Sequence, residues 1–222
     1  MRNKSLYFYI GFSTFYLVLL LFNQEYFTFW MKPLLIPILS ILVLLEKEFP
    51  TKKLLLSSLL FSWIGDVVLL FANQGAIYFI VGLVAFLVAH LLYIFLFIKL
   101  QKIKSTKYFP YTFFVVAYLL ILLSFLWNDL NDLKIPVVIY AVVLSTMLLL
   151  AIKGIFIWQS PLGKIILFGA VFFVVSDSLL AINKFHHPIP YASFLIMSTY
   201  LLAQFLIVYG ILKIEQKKEA QF

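Results

Sequence analysis

Two aspartates interrupt long apolar runs and are the first residues of this sequence that could do chemistry. Asp66 lies in FSWIGDVVLL, residues 61–70, and Asp177 lies in VVSDSLLAIN, residues 174–183. If these runs cross a membrane, each carboxylate costs at least about 2.5–3.5 kcal/mol to insert. A charged side chain kept at that cost usually faces the interior of a helix bundle, so both residues are candidates for a functional site.

Two carboxylates at one depth can divide the work of an acid and a base. If their helices pack together, the two groups become neighbours in low-dielectric surroundings and would share one proton. Aspartic proteases and glycosidases use carboxyl pairs in this way. The alternative is a structural clamp between helices, with Asp66 bonded to Ser62 and Asp177 to Ser176 or Ser178.

A polar stripe at helical spacing accompanies the first aspartate. Ser58, Ser62, Asp66 and Asn73 are separated by four, four and seven residues. Side chains at these intervals share one side of a helix. The stripe therefore predicts that one side of the third helix faces other polar groups inside the bundle.

Further polar side chains follow each aspartate along the chain. The fourth predicted helix carries His90 and Tyr93, and the eighth carries Tyr200 and Gln204. His90 is either a proton carrier or metal ligand, or a partner in an interhelical hydrogen bond. Lys32, early in the second helix, either extends to the outer surface or reaches inward as a counter-charge for an aspartate or a phosphate.

The sequence lacks the common signatures of metal, nucleotide and covalent catalysis. It has no cysteine, no Gly-rich phosphate loop, no G-x-S-x-G and no H-E-x-x-H. We therefore predict neither a metal nor a cofactor. His186 and His187 are adjacent and cannot both face one ion on a regular helix, so they are assigned no role.

Composition indicates a chain built almost entirely of membrane helices. Hydrophobic residues make up 64% of the 222 positions and charged residues 12%, against roughly 45–50% and about 25% in soluble domains. A spanning helix needs about 20 mainly apolar residues. We predict one all-α integral membrane domain over residues 1–222, with eight transmembrane helices at about 6–22, 26–45, 54–72, 76–98, 108–127, 135–152, 164–182 and 191–212.

The basic residues predict how the chain is oriented. Fourteen of the seventeen Lys and Arg residues fall at the termini or in the connections after helices two, four and six, and three fall on the other side. The positive-inside rule therefore predicts cytoplasmic termini, and we expect the bacterial inner membrane. The net charge of +8 follows this topology, so no nucleic-acid partner is predicted.

The spacing of the aspartates suggests a repeat. Asp66 and Asp177 are 111 residues apart, half the chain length, and each lies in the third helix of a four-helix half. An even number of helices per half makes the predicted four-plus-four repeat parallel. Both carboxylates would then lie about 5–6 Å outside the membrane midplane, at matching levels.

Several segments resemble the YhhN-like lysoplasmalogenase family of eight-helix membrane proteins. These segments read MKPLL, GDVVLLF, VGLVAFLVAHLLYI, SPLGKIILFGAVFFVVSDSLLAINKF and TYLLAQ, and the similarity extends over nearly the whole chain, from Lys32 to Gly210. The combination of the GD and SD aspartates is specific, whereas either dipeptide alone is not.

The resemblance implies hydrolysis of the vinyl-ether bond of lysoplasmalogens to a fatty aldehyde and a glycerophospho-alcohol. It implies a lysophospholipid substrate, taken from among membrane lipids, and catalytic roles for Asp66 and Asp177. The residues in its other motifs, or beside Asp177, would bind substrate or support the site, namely Lys32, His90, Tyr93, Tyr200, Gln204 and Ser176.

The implied chemistry agrees with the paired carboxylates, because a vinyl ether is acid-labile. One protonated aspartate would deliver a proton, while the other, ionised, would stabilise the cation and orient water. A different class remains open, namely a small proton-coupled transporter that uses Asp66, Asp177 and His90 as a relay. A non-catalytic lipid-binding or scaffold protein is the third alternative.

Overall fold

The structure, a computed structural model, describes residues 2–101, 107–158 and 160–219. Within these ranges it is helical and has no strand, which confirms the predicted all-α class. Residues 102–106 of the predicted connection KLQKIKSTK and Gln159 of the connection IWQSPLGK lie outside the described ranges.

Eight long helices make up most of the described chain, and each predicted segment overlaps one of them. A short 3-10 helix, Asn131–Leu133, precedes the sixth, and a π-helix, Ile182–His186, continues the seventh. The long helices are α1 Arg2–Leu21, α2 Glu25–Leu44, α3 Lys52–Leu69, α4 Ala76–Leu100, α5 Phe109–Leu126, α6 Lys134–Ile155, α7 Leu162–Ala181 and α8 Ala192–Glu219.

Helix α3 ends earlier than predicted, and this removes Asn73 from the polar stripe. After Leu69 the backbone tightens into turns, with the amides of residues 70–72 bonded to carbonyls three positions earlier. Such tightening is common in the last turn of a helix and usually ends it. Asn73 is exposed in the turn that follows, so the prediction that it continues the stripe was wrong.

Seven of the helices in the described ranges are long and apolar enough to cross a membrane, which fits an integral membrane protein. They are α1, α2 and α4 to α8, and the spans at α6 and α7 also include the 3-10 helix and the π-helix that adjoin them. Helix α3 is not among them, and its 18 residues include the charged side chains of Lys52, Lys53 and Asp66. The eighth crossing stays a prediction.

The chain forms two compact units, one that ends at Leu96 and one that begins at Phe97. The first contains α1 to α3 and most of α4, and the second contains α5 to α8. The single domain, the parallel repeat and the orientation of the termini stay predictions.

In the first unit a proline inside α2 determines how α2 meets α3. Pro37 has no N–H, so the carbonyl of Pro33, four residues earlier, lacks its helical donor. The indole N–H of Trp63 on α3 donates to that carbonyl at 2.8 Å. This bond satisfies a backbone group that would otherwise be costly in apolar surroundings, and it joins the two helices.

A buried lysine joins the same two helices at their other ends. The Nζ of Lys52, the first residue of α3, donates to the carbonyl of Glu46 at 2.7 Å and to Glu48 Oε1 at 3.0 Å. It also reaches the carbonyl of Leu44, the last residue of α2, at 3.4 Å. A cation is favourable here because the carbonyl end of a helix carries partial negative charge.

In the second unit α7 packs between α6 and α8, with its closest contact to α8. Gly169 is the point of approach, because a Cβ there would lie 3.0 Å from the amide nitrogen of Ile207 and 3.1 Å from the carbonyl oxygen of Ala203. Small residues permit such backbone contact between membrane helices. The helix that carries Asp177 is therefore in direct backbone contact with α8 two turns before the aspartate.

Candidate active site

Asp66 is buried near the carboxyl end of α3, with 2% of its surface exposed. Ser62 and Ser58, one and two turns earlier, are fully buried, and the Ser58 hydroxyl donates to the Leu54 carbonyl at 2.8 Å. The polar stripe predicted for these three residues is therefore turned inward, as their spacing indicates.

Lys32 provides a positive charge to Asp66. It is partly buried on α2, and its ammonium group lies within electrostatic range of the Asp66 carboxylate. The Trp63–Pro33 hydrogen bond fixes α2 against α3 next to Lys32. Both roles predicted for Lys32 stay predictions.

Two tyrosines of α1 also belong to the surroundings of Asp66, and the sequence analysis missed them. Tyr9 and Tyr16 are each 2% exposed and lie within electrostatic range of the Asp66 carboxylate. Tyr9 also lies within electrostatic range of Tyr93 on α4. The spacing of Tyr9, Ser13 and Tyr16, four and three residues, marks one face of α1 and could have identified them.

His90 and Tyr93 are fully buried on α4, in the same unit as Asp66. Helices α3 and α4 meet one turn before His90, where the Phe86 ring covers Gly65 so closely that a Cβ there would lie 2.6 Å from two ring carbons. Within the described ranges, no group of three or more His, Asp and Glu side chains could hold a metal ion.

In the second unit, Asp177 is held by a tyrosine that the sequence analysis did not single out. The hydroxyl of Tyr140 on α6 donates to Asp177 Oδ2 at 2.5 Å. Asp177 is partly buried, and Tyr140 is 9% exposed. Ser176, the residue before Asp177, donates to the Ile196 carbonyl on α8 at 3.0 Å. These bonds connect Asp177 to α6 and Ser176 to α8, and the clamp between Asp177 and its neighbouring serines stays a prediction.

The residue after Asp177 is bonded to a third helix. Ser178 Oγ donates to the Val174 carbonyl at 2.6 Å and contacts the hydroxyl of Tyr118 on α5 at 2.5 Å. Because its only hydrogen is directed to Val174, Ser178 accepts from Tyr118. Successive residues of a helix point about 100° apart, so the three residues of the SDS segment reach three different helices.

Tyr200 and Gln204 form a pair of their own on α8. Both are buried, and Gln204 Nε2 donates to the Tyr200 hydroxyl at 3.4 Å. The Tyr200 ring meets the Phe173 ring edge-on, with centroids 5.6 Å apart. Phe173 lies one turn before Asp177, so the α8 pair packs beside the segment that carries the aspartate.

His186, to which the sequence analysis assigned no role, makes a contact at the end of the second unit. Its Nδ1 is 2.6 Å from Asp129 Oδ2, and its ring centroid is 4.3 Å from that of Phe125. These contacts attach the π-helix after α7 to the segment after α5.

Each unit thus surrounds one aspartate with groups that can control a proton. Asp66 has Lys32 and the α1 tyrosines within electrostatic range, and Asp177 has the hydroxyl of Tyr140. This is a polytopic all-α chain with acidic side chains held among apolar helices. That class admits both membrane enzymes and transporters.

The chain belongs to the YhhN family, which it matches over residues 27–211. The matched region contains both aspartates and all the predicted supporting residues. The match to this family extends slightly beyond the segments that suggested the resemblance. The resemblance is therefore confirmed. No solved structure matches the chain.

Curated relatives of the chain are named lysoplasmalogenases. Lysoplasmalogenase TMEM86A of Bos taurus is 32% identical over 165 residues, 71% of this chain and 65% of that protein. Lysoplasmalogenase TMEM86B of Rattus norvegicus is 33% identical over 162 residues, 72% and 62%. Lysoplasmalogenase TMEM86B of Mus musculus is 32% identical over 181 residues, 80% and 73%. The match spans slightly less than two thirds of the bovine and rat proteins.

Proposed function

We propose that this chain is an intramembrane ether hydrolase that cleaves the vinyl-ether bond of lysoplasmalogens. Its substrates would be lysoplasmenylethanolamine and lysoplasmenylcholine, and its products a fatty aldehyde with glycerophosphoethanolamine or glycerophosphocholine. The observation that carries the proposal is an aspartate in each unit, each with its own charged or hydroxyl neighbour, in a chain whose relatives are named lysoplasmalogenases.

The proposed reaction uses both aspartates on one substrate molecule. The protonated aspartate gives its proton to the β-carbon of the vinyl ether, and an oxocarbenium ion forms. Water adds to the α-carbon and releases a proton to the ionised aspartate, which gives a hemiacetal. The bond between the α-carbon and the ether oxygen then breaks. The departing oxygen takes the proton from the second aspartate, and the hemiacetal hydroxyl returns its proton to the first.

The proposed reaction depends more on electrostatic stabilisation of the oxocarbenium ion than on the strength of the acid. The oxocarbenium ion carries a positive charge for which an ionised carboxylate in a water-poor site is a strong stabiliser. Fixed dipoles and charges act more strongly among apolar helices than in water. The apolar surroundings of Asp66 and Asp177 therefore support the proposal.

The remaining predicted site residues receive supporting roles in this proposal. Lys32 lies within electrostatic range of Asp66, near the start of α2, where it could also meet the substrate phosphate. His90 and Tyr93 in the first unit, and Ser176, Tyr200 and Gln204 in the second, would bind substrate or support the aspartate of their own unit. A few polar groups among apolar side chains are the usual character of a lipid site.

The test is aldehyde release from lysoplasmenylethanolamine by purified protein in detergent. We expect turnover by the wild type and a loss of at least about 100-fold in Asp66→Asn and in Asp177→Asn, because each variant removes an acid or a base. Asp132→Asn is the matched control, since Asp132 is exposed in the connection before α6. Wild-type rates in both site variants would refute the aspartate pair.

A second control identifies which bond of the substrate is cleaved. A lysophospholipid with the same headgroup and a saturated alkyl ether has no vinyl β-carbon to protonate, so it should not react. Detergent also separates the proposal from proton-coupled transport, because transport needs a sealed vesicle and hydrolysis does not. No turnover by well-folded wild type with either headgroup would favour transport or another lipid.

We also propose cytoplasmic termini and location in a bacterial inner membrane, as the distribution of Lys and Arg indicates. In a bacterial host, a carboxyl-terminal fusion to green fluorescent protein should fluoresce, and a fusion to alkaline phosphatase should be inactive. The reverse pair of results would overturn the orientation.

A further inference from the structure

We propose that Tyr140 is a positioning residue that holds Asp177 in its ionised form, so that Asp177 is the base of the reaction. This inference rests on the proposed function and identifies one of its two carboxylates. It starts from a single contact, the hydroxyl of Tyr140 on α6 donating to Asp177 Oδ2 on α7 at 2.5 Å.

The direction of the hydrogen bond carries the chemical meaning. A phenol hydroxyl has one hydrogen, and here it is given to a carboxylate oxygen, so the bond is strongest when Asp177 carries its negative charge. Hydrogen bonds to a charged acceptor are also stronger than neutral ones. In apolar surroundings that difference favours the ionised carboxylate and fixes its direction.

An ionised Asp177 has a definite task in the proposed reaction. As the water oxygen bonds to the α-carbon of the oxocarbenium ion, the water gives up one proton, and the Asp177 carboxylate accepts it. Asp177 then passes this proton to the departing ether oxygen and is again ionised. The Tyr140 hydroxyl keeps its own proton throughout.

A neighbouring tyrosine provides a matched control for the packing of α7. Tyr118 bonds to Ser178 at the same 2.5 Å, on the residue directly after Asp177, from α5 instead of α6. Tyr118→Phe and Tyr140→Phe therefore each remove a phenol hydroxyl that bonds to α7, at the adjacent residues Ser178 and Asp177. A purely structural role for such hydroxyls predicts similar effects of both changes.

The kinetic experiment measures kcat and KM for lysoplasmenylethanolamine in both variants. We expect Tyr140→Phe to lower kcat by about 10- to 100-fold with little change in KM, and Tyr118→Phe to change kcat by less than about threefold. In the Asp177→Asn background, Tyr140→Phe should cause no further loss, because it acts through Asp177. Equal losses in both tyrosine variants would overturn the inference.

An infrared measurement tests the same point without activity. A protonated carboxylic acid shows a carbonyl stretch that an ionised carboxylate lacks. In the proposed mechanism the protonated Asp66 gives one such band in the wild type and in both tyrosine variants. We expect Tyr140→Phe to gain a further band from Asp177, and this further band to vanish in Tyr140→Phe/Asp177→Asn. The wild type and Tyr118→Phe should lack the further band. The same band in the wild type, lost in Asp177→Asn, would overturn the inference.

The two measurements also separate this inference from the proposed function. No turnover by the wild type, with the expected infrared bands, would refute the hydrolase while Tyr140 still holds Asp177 ionised. Turnover that depends on both aspartates, with no effect specific to Tyr140→Phe, would support the hydrolase and refute the role of Tyr140.

Discussion

The indole of Trp63 on α3 supplies the hydrogen bond that Pro37 denies to the carbonyl of Pro33 on α2. Two sequence features that look independent, a tryptophan and a proline 26 positions apart, are thus parts of one joint. The joint lies next to Lys32 and one turn before Asp66. It therefore helps to fix the distance between Lys32 and Asp66.

Removal of the indole should weaken this joint. Trp63→Phe leaves the Pro33 carbonyl without a donor, and we expect a loss of about 1–3 kcal/mol in the free energy of unfolding, measured in detergent. Pro37→Ala restores a helical N–H for that carbonyl, so the same tryptophan change should cost less in that background. Trp30→Phe on the exposed side of α2 is the control. Equal costs in both backgrounds would contradict this account.

The side chains of Lys32 and Asp66 should depend on each other. Lys32→Met or Asp66→Asn alone leaves one polar group without this neighbour among apolar helices. We expect each to lower the free energy of unfolding by about 1–3 kcal/mol. The double variant removes both groups and should cost less than the sum of the two single changes. Lys164→Met, at an exposed position near the start of α7, serves as control, and additive losses would show that the two side chains do not interact.

Two glycines predict opposite responses to alanine. Gly169 lies against the backbone of α8, which cannot move aside, so Gly169→Ala should lower the free energy of unfolding by about 1–3 kcal/mol. Gly11 in α1 has nothing within 4 Å of an added Cβ, so Gly11→Ala should raise it by up to about 1 kcal/mol through helix propensity. Thermal unfolding of both variants measures these changes. A Gly169→Ala protein as stable as the wild type would mean that α7 and α8 are less closely packed.

The positions of the helices were predictable because each apolar run ends at charges or turn formers. The runs must satisfy their backbone groups internally in a membrane, so length and composition determine helices almost alone. The end of α3 was not predicted well, since Leu70 to Ala72 are apolar and nothing in their composition shows that the backbone tightens there. The π-helix at residues 182–186 was missed because its polar residues Asn183, Lys184 and His186 were assigned to the connection after the apolar run.

The site was predictable only where its residues are unusual for their surroundings. Asp66 and Asp177 are conspicuous because a carboxylate is rare in an apolar run, and the Ser58–Ser62–Asp66 stripe follows from helical spacing. Tyr140 is different, because a single tyrosine in KIPVVIYAVVLS is ordinary and its partner is 37 residues away. No pattern within one helix indicates which neighbouring helix a side chain faces, so this contact required the structure.

The three bonds of the SDS segment restrict how α7 can change length. Adding or deleting one residue before Ser176 would turn the whole segment by about 100°. Ser176, Asp177 and Ser178 would then no longer face the helices to which they are now bonded. All three bonds would be lost together. Over most of α7, point substitutions should therefore be accepted far more readily than single-residue insertions or deletions.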